Sequence, residues 1–337
     1  MNILSIIIPC YNVEKYVGVT VDSLRKQQRQ DVEFLFINDG STDGTSAIIK
    51  NFAASDHRVK LIDKQNGGVS SARNTAIEAA SGEYIYLLDG DDFLTDNALD
   101  NIVKYIERSK CDILLSHLWI VDGAEKRLHK CRIPEGAYTP TELYNARIVF
   151  PTVSQNVYKR EIISEHHIRF NENIKCGEVY EFTVNFLSHA RMAYVADDSF
   201  AHYVMRPSSA THKINCEADL SVLNMVASLY QLDKEFTNSP SYHITAFKLV
   251  TSFTYTKYLL LGYSTPEIGR AIQIVIRNKS FRQCLKRVAF TSHPCWKERL
   301  LACYMLLFER FGFIIAVKIR NLLKVKQHLT INKEQDA

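Results

Sequence analysis

The sequence lacks the features that mark several large classes of protein. The apolar runs of its C-terminal third fall short of the about 20 residues that a membrane-spanning helix needs. The N-terminus enters an apolar stretch without the basic start of a secretory signal. Its eight cysteines show no CxxC spacing, which argues against a zinc site and a disulfide framework. We therefore expect a cytoplasmic protein with reduced thiols.

Two nucleotide-binding fingerprints are absent as well. The sequence contains neither GxxxxGK[ST] nor GxGxxG, the glycine patterns of phosphate-loop NTPases and of dinucleotide-binding enzymes. The length of 337 residues nevertheless allows one large or two modest globular domains with proper cores.

Short apolar runs alternate with helical patterns over roughly the first hundred residues. The predicted strands are Leu4–Pro9, Glu33–Asn38, Val59–Asp63 and Tyr84–Leu88. The predicted helices between them are Glu14–Gln28, a helix from the caps at 41–43 through Phe52, and Ser70–Ala80. This alternation predicts an α/β fold with a Rossmann-like, mixed but mainly parallel sheet that is flanked by helices.

The stretch from Tyr84 to Asp92 runs from an apolar strand directly into three carboxylates, those of Asp89, Asp91 and Asp92. Like charges this close repel by roughly 4 kcal/mol per pair at 4 Å and an effective dielectric of 20. A hard divalent cation, Mn²⁺ or Mg²⁺, offsets such repulsion, because it prefers carboxylate oxygens and shares its ligand sphere with phosphates. The alternative is a solvated acidic turn ahead of a helix.

Ligands of parallel sheets bind outside the carboxyl ends of the strands. Four segments that are rich in Asn, Asp, Gly, Ser or Arg would meet there: 9–12, 38–43, 64–73 and 89–92. Among them, Asp39 is suited to a nucleobase or ribose, or equally to capping a turn. A guanidinium on the following helix, that of Arg73, is suited to a phosphate.

Four motifs resemble, in order and spacing, those of family 2 glycosyltransferases, which have the A-type nucleotide-diphospho-sugar fold. They are Ser5-Ile-Ile-Ile-Pro-Cys-Tyr-Asn12, Phe36-Ile-Asn-Asp-Gly-Ser-Thr-Asp-Gly44, Asn66-Gly-Gly-Val-Ser-Ser-Ala-Arg-Asn74 and Leu87-Leu-Asp-Gly-Asp-Asp92. The resemblance covers residues 3–115 closely and continues loosely to about 212. It implies transfer of a sugar from a nucleotide-diphosphate donor, with a UDP-sugar expected, usually with inversion and a divalent metal.

The resemblance also implies roles for individual residues. Donor binding falls on Pro9, Tyr11, Asn12, Asp39, Arg73, Asp89, Asp91 and Arg206. Asp91 would bind the metal, Asp89 would reach the ribose or the metal shell, and Asp92 would support them. Arg206 lies in the segment 203–212, which is similar to a family loop that closes over the donor diphosphate.

The chain departs from the family at the expected catalytic base. The family carries an acidic pair in a Gly-Glu-Asp-x-x-Phe-like segment, whereas this chain reads Gly177-Glu-Val-Tyr-Glu-Phe182. Val179, at the place of the aspartate, cannot accept a proton. Three readings stay open: Glu178 is the base after a backbone shift, Glu181 reaches in from one helical turn away, or the protein binds donor without efficient transfer.

The sequence offers two further sets of candidate residues and disfavours one related activity. Gln155-Asn156 stands where the family often has Asn-Lys, which puts the handling of the acceptor in doubt. His202 and His212 are candidate metal ligands, with an ordinary solvated or hydrogen-bonded histidine as the alternative. A sugar nucleotidyltransferase is disfavoured, because Cys10-Tyr-Asn-Val-Glu14 does not supply the glycine- and lysine-rich loop that such enzymes carry after the first strand.

The C-terminal third has helical patterns and carries the positive charge. Residues 277–326 hold 12 Lys or Arg against two Glu, whereas the whole chain has a net charge of only +4. Basic residues among aromatic ones favour an anionic membrane surface, and a packed bundle with a solvated basic face is the alternative. No nucleic-acid-binding module is present. We predict domains at 1–215 and 216–330 and a tail at 331–337.

These observations give two hypotheses of different class. The first is a glycosyltransferase of cell-surface polysaccharide synthesis that uses a glycan or lipid-linked acceptor at the inner face of the cell membrane. The second is a nucleotide-sugar-binding, catalytically weak or inactive subunit of a glycan assembly complex, and Val179 is its motivation.

Overall fold

The computed structural model describes residues 2–131, 133–145, 153–206, 216–229, 240–251 and 266–290, together with residues 300, 302, 303 and 306. The chain divides into two compact units. Unit 1 consists of Met1–Asn173 and Gly177–Ala210, and unit 2 consists of Ile174–Cys176 and Thr211–Ala337. The predicted boundary after residue 215 and the predicted tail at 331–337 lie outside the described residues and stay predictions.

The strands of the described ranges form one ten-stranded sheet in unit 1. They are β1 (Leu4–Cys10), β2 (Val32–Asp39), β3 (Val59–Lys64), β4 (Tyr84–Leu87), β5 (Phe93–Leu94), β6 (Ile113–Asp122), β7 (Glu125–His129), β8 (Gly136–Tyr138), β9 (Asn156–Lys159) and β10 (Ala193–Met205). The order is β3-β2-β1-β4-β9-β6-β10-β5, with β7 on β6 and β8 on β10. The strands from β3 to β4 are parallel, and β9 is antiparallel to both of its neighbours. The predicted mixed, mainly parallel sheet is thus confirmed.

Helices flank this sheet and make up the described part of unit 2. Those of unit 1 are α1 (Val17–Arg25), α2 (Thr45–Ser55), α3 (Val69–Ala79), α4 (Ala98–Ser109), α5 (Pro140–Asn145), α6 (Arg160–Glu165) and α7 (Glu178–Leu187), with a 3₁₀ turn at Val153–Gln155. Those of unit 2 are α8 (Cys216–Leu220), α9 (Val222–Leu229), α10 (Pro240–Val250), α11 (Pro266–Arg277) and α12 (Lys279–Ala289). Within the described ranges, no helix has the length and apolar character needed to cross a membrane.

The central strands are buried at every position, which explains why they read as nearly continuous apolar runs. Glu33 of β2 is a charged exception at 2% exposure. Its carboxylate accepts hydrogen bonds from Ser5 Oγ at 2.6 Å, Lys60 Nζ at 2.7 Å and the Ser81 amide at 2.7 Å. Burial opposes the charge, but these donors outweigh burial and lower the pKa of Glu33 to about 2.

Two sequence expectations about local structure are corrected. The first helix was predicted from Glu14, but it begins at Val17 because residues 13–16 form a turn in which Glu14 Oε2 accepts the Gly44 amide at 2.9 Å. The sequence of the second segment, Gly136–Asn145, is typical of a turn that leads into a helix. Its first three residues instead form the strand β8, which pairs with β10 before α5 begins.

Candidate active site

The carboxyl ends of the parallel strands β1 to β4 lie along one rim of the sheet. At this rim Asn12 has a left-handed φ of 51°. Its Oδ1 accepts the Thr42 amide at 2.8 Å, and its own amide donates to Ser41 Oγ at 3.0 Å, so the loops after β1 and β2 are joined. Tyr11 is 52% exposed beside it, whereas Pro9 is buried within β1. Of these three predicted donor residues, Tyr11 and Asn12 are therefore exposed to solvent and Pro9 is not.

Asp39, at the end of β2, organises the loop that leads into α3. Its Oδ1 accepts from Lys64 Nζ at 2.8 Å and from the Gly67 amide at 3.0 Å, and its Oδ2 accepts the Gly68 amide at 2.8 Å. The side chain is 3% exposed. A carboxylate has about four lone-pair positions, and three of them are used within the chain. Contact of Asp39 with a base or ribose stays a prediction.

The acidic turn after β4, residues 89–92, packs closely against the end of β1. A Cβ placed on Gly90 would lie 2.6 Å from Cys10 Sγ and 2.9 Å from the Pro9 carbonyl, so only glycine fits this turn without a shift. The hydroxyl of Thr20, on α1, donates to the Gly90 carbonyl at 3.0 Å and to the Asp92 carbonyl at 2.7 Å. The turn is thus fixed from two sides.

Arg73 connects the acidic turn to α7. Its Nη2 donates to Asp89 Oδ1 and its Nη1 to Glu178 Oε1, each at 3.0 Å, and its guanidinium lies 5.2 Å from the centre of the Phe170 ring. The side chain is 2% exposed. Burial opposes the charge, but Asp89 and Glu178 outweigh it and raise the pKa of Arg73. The structure therefore places Arg73 between two predicted site residues, and its contact with the donor stays a prediction.

Arg206 makes the matching contact on the other side of the turn. Its Nη1 pairs with Asp91 Oδ2, its Nη2 donates to the Asp91 carbonyl at 2.5 Å, and its guanidinium lies 3.9 Å from the centre of the Tyr16 ring. The structure thus brings Arg206 to the acidic turn, as the motifs implied. The remainder of the predicted loop, 207–212, lies outside the described residues.

Asp92 has a supporting position. Its Oδ1 accepts the Val204 amide of β10 at 2.9 Å, and the residue is 2% exposed. Burial, together with Asp89 and Asp91, raises the pKa of Asp92 well above its ordinary value. Burial and Asp89 also raise the pKa of Asp91, against the opposing effect of Arg206. The three carboxyl groups of the turn thus oppose one another's ionisation, and the two that reach solvent are those of Asp89 and Asp91, whose side chains are 30% and 34% exposed.

The donor set of the turn fits a divalent metal that is shared with a substrate. Within the described ranges, no group of three or more His, Cys, Asp or Glu side chains is arranged to hold a metal ion. Each arginine contacts one carboxylate oxygen of its partner, Asp89 Oδ1 or Asp91 Oδ2, so the second oxygen of each carboxylate is not paired with an arginine. Two carboxylate oxygens suit Mn²⁺ or Mg²⁺, which completes its ligand sphere with phosphates and water.

The two candidate bases lie in different surroundings on the first turns of α7. Glu178 has a side chain that is 15% exposed and paired with Arg73. Glu181 is 4% exposed and Val179 is 3% exposed. Val179 faces the protein interior, where its carbonyl accepts the Thr183 hydroxyl at 2.7 Å. Glu178 is accordingly the more accessible of the two carboxylates, and the identity of the base stays a prediction.

Metal binding by the two candidate histidines stays a prediction. His202 lies on β10, not in a loop, and its ring stacks 4.4 Å from that of Phe93 and 6.1 Å from that of Trp119. Burial and Lys126 lower the pKa of His202 to about 4, so the ring is neutral at pH 7. His212 lies outside the described residues.

Sequence reasoning missed several residues that hold the site together. They are Tyr16, Thr20, Lys64 and Phe170. None of them belongs to a sequence motif. They contact the site through aromatic ring faces, a hydroxyl group and an ammonium group. Lys64 alone had a usable signal, since it ends a strand that is parallel to the one that ends in Asp39, and the two are register partners.

The fold and the acidic turn together define a nucleotide-sugar transferase fold of the glycosyltransferase A type. The crystal structure of Staphylococcus aureus TarS 1–349 in complex with UDP-GlcNAc matches it with a TM-score of 0.75 at 20% identity, covering 96% of this chain and 92% of that one. The mannosyltransferase PcManGT from Pyrobaculum calidifontis, in complex with GDP-Man and Mn²⁺, matches with a TM-score of 0.53 at 17% identity over 91% of this chain and 87% of that one.

Sequence comparison links this region of the chain to one family. Residues 5–166 match the model of Glycosyl transferase family 2. The glycosyltransferase EpsJ of Bacillus subtilis (strain 168) is 30% identical over 217 residues, 62% of this chain and 63% of EpsJ. The poly(ribitol-phosphate) β-N-acetylglucosaminyltransferase TarS of S. aureus (strain Mu50) is 28% identical over 207 residues, 60% of this chain and 35% of TarS. The match therefore spans less than two thirds of either relative.

Proposed function

We propose that this chain is a glycosyltransferase that moves a sugar from a UDP-sugar to a glycan or lipid-linked acceptor in cell-surface polysaccharide synthesis. One observation carries the proposal: Asp89 and Asp91 follow β4 at the rim of the sheet, and each is paired with an arginine, Arg73 or Arg206. Alternating carboxylates and guanidinium groups suit a ligand that combines a cation with a diphosphate. The acceptor class is supported by the relative TarS, whose name gives poly(ribitol-phosphate) as the molecule that receives N-acetylglucosamine.

Donor binding would use both halves of this arrangement. Asp89 and Asp91 would hold the divalent metal, and Arg206 would exchange its bond with Asp91 for one with the diphosphate. When bound, the ion would neutralise negative charge that develops on the leaving diphosphate. Arg206 suits the diphosphate because its planar fork can donate two parallel hydrogen bonds.

Glu178 would act as the base that deprotonates the acceptor hydroxyl. It begins α7, and its pairing with Arg73 fixes the carboxylate relative to Asp89. Inversion needs a base on the sugar face opposite the leaving group, and the carboxylate of Glu178, held next to the acidic turn by Arg73, is our candidate for it. Glu181, at 4% exposure, would have to be uncovered before it could do the same.

A second function is favoured by Val179. Its side chain is 3% exposed and points away from solvent, so the position that resembles the catalytic aspartate supplies no proton acceptor. If Glu178 does not replace it, the chain would bind a nucleotide sugar without efficient transfer, as a subunit of a glycan assembly complex.

One experiment separates the two functions. The purified chain would be incubated with a panel of nucleotide sugars, Mn²⁺ and membrane extract, and both UDP release and labelled product would be measured. Asp91→Asn should abolish metal-dependent UDP binding and transfer, whereas Asp22→Asn, a 70% exposed carboxylate on α1, should change neither. Binding without transfer for every donor would support the second function.

The location of the protein belongs to the same proposal. A nucleotide-sugar donor and an acceptor on a lipid would meet at the inner face of the cell membrane, and the basic C-terminal region would hold the chain there as a peripheral protein. We expect no nucleic-acid partner.

A further inference from the structure

The exposed side of helices α11 and α12 carries cations and two bulky apolar side chains. Residues 268–290, which span most of both helices, contain six Lys or Arg and no Asp or Glu. Exposed positions recur at helical spacing on both helices. They are Arg270, Gln273, Ile274 and Arg277 on α11, and Lys279, Gln283, Lys286 and Arg287 on α12, followed by Phe290. We call these residues the basic face.

The inner side of α12 fixes the direction of the basic face. Phe281 stacks on Phe247 of α10 with ring centres 6.3 Å apart, and Cys284 Sγ donates to the His243 carbonyl at 3.1 Å. The first turn is capped by Asn278 Oδ1, which accepts the Phe281 amide at 2.9 Å. Because one side of the helix is anchored in this way, residues three and four positions apart on the opposite side point to solvent together.

The exposed apolar side chains of the basic face indicate what kind of anionic partner it suits. Phe290 is 81% exposed and Ile274 is 51% exposed. An isolated exposed apolar residue needs no explanation, but here two such residues lie within residues 268–290, where every charged residue is a Lys or Arg. Cations alone suit any polyanion, whereas cations with bulky apolar groups suit a surface that offers anionic groups above hydrocarbon.

We propose that the basic face binds the anionic surface of a lipid bilayer, with Lys286 and Arg287 at the phosphate groups and Phe290 inserted among the acyl chains. Membrane location is part of the proposed function, and this inference names the surface that carries it. Each Lys or Arg near an anionic bilayer strengthens binding by roughly fivefold, so the five exposed cations of the basic face give reversible binding.

The test is flotation of the purified full chain with vesicles of phosphatidylcholine, with and without phosphatidylglycerol, at about 0.1 M salt, where surface charges act over about 10 Å. The wild-type chain should float with the anionic vesicles only. The variant K286Q/R287Q should bind roughly thirtyfold less tightly. The matched control K26Q/K104Q, which removes two exposed cations of unit 1, one just after α1 and one on α4, should bind like the wild type.

A second variant tests the apolar part of the proposal. Phe290→Ser alters an exposed side chain and should leave the fold intact, but it should reduce binding by roughly tenfold even where added salt has weakened the electrostatic attraction. Binding of Phe290→Ser equal to that of the wild type would contradict insertion. Binding to single-stranded RNA, without vesicle binding, would replace the membrane by a nucleic acid.

Measurement of UDP binding on the same samples separates this proposal from the proposed function. UDP binding without vesicle binding overturns the basic face as a membrane surface and leaves the transferase proposal standing. Vesicle binding without UDP binding would support the basic face as a membrane surface and would contradict the transferase proposal. Equal loss in K286Q/R287Q and K26Q/K104Q would show that net charge, not this surface, controls the association.

Discussion

Arg73 Nη1 lies 3.0 Å from Glu178 Oε1, although the two residues are 105 positions apart in the sequence. The same guanidinium binds Asp89, so the acidic turn after β4 and the first turn of α7 are held by one buried cation. This contact makes the candidate base part of the same rigid arrangement as the candidate metal ligands, and the first two predictions follow from it.

Removal of the Arg73 cation should destabilise the chain. Arg73→Met keeps apolar bulk but leaves Asp89 and Glu178 without their shared partner, and we expect a loss of about 2–3 kcal/mol in the free energy of unfolding. Urea denaturation measures it. Arg169→Met is the matched control, because Arg169 is 37% exposed and lies 3.8 Å from Glu78, and it should cost less than about 1 kcal/mol. Equal urea midpoints for the two variants would show that the bridge contributes nothing to stability.

The two glutamates of α7 should respond differently to loss of charge. Glu178→Gln should lower kcat by roughly 10²–10⁴, the usual contribution of a general base, with a smaller effect on KM for the donor. Glu181→Gln should lower kcat by less than about tenfold, since its side chain is buried. Steady-state kinetics with a transferable donor would check both. A larger loss in Glu181→Gln would reassign the base.

Stability should depend on pH through Glu33. Its pKa is lowered from 4.5 to about 2 in the folded chain, so its contribution of about 3 kcal/mol is fully present above pH 4.5 and is lost as the pH falls towards 2. The stability gap between the wild type and Glu33→Gln, measured by urea denaturation, should be widest at pH 7 and should narrow below pH 4.5.

The control for Glu33 is Glu165→Gln, an exposed carboxylate on α6. Its stability should stay within about 0.5 kcal/mol of the wild type at every pH, because exposed substitutions without special contacts have effects of that size. A gap for Glu33→Gln that stays constant from pH 7 to pH 3 would contradict the cause assigned to the shift.

The acidic turn should not tolerate a methyl group. Gly90→Ala places a Cβ 2.6 Å from Cys10 Sγ, and we expect it to destabilise the chain by about 1–3 kcal/mol and to weaken UDP binding. Thermal unfolding and UDP titration measure the two effects. Gly18→Ala is the matched control, because no atom lies within 4 Å of its added Cβ and alanine favours the helix α1. Unchanged UDP affinity in Gly90→Ala would show that the turn can move.

The sequence was sufficient to predict the parallel strands β1 to β4, because each of them is a short apolar run that is bounded by turn residues. It was insufficient for β9 and β10. Asn156–Lys159 is only four residues long, and its place between β4 and β6 depends on pairings with residues more than 40 positions away. Such pairings leave no periodic signal in the chain.

The candidate site was likewise predictable from the sequence only in part. The motifs place Asp39, Arg73, Asp89 and Asp91 at one rim, because parallel strands end together. They do not reveal that Arg73 turns towards Glu178, or that Asp39 binds its own loop, since both depend on the direction of a single side chain. The partner of Arg206 could be anticipated only from its charge, and Tyr16 beneath it had no signal at all.

The hydrogen bonds that Asp39 accepts from the Gly67 and Gly68 amides should affect the rate of nucleotide binding. Three hydrogen bonds to Asp39 already order this loop, so the loop loses little conformational entropy when a nucleotide binds. Nucleotide binding therefore does not require a prior ordering step of the loop. Those two amides should exchange their hydrogens slowly with solvent before any nucleotide arrives, and encounter should proceed at the rate typical of a preformed cleft.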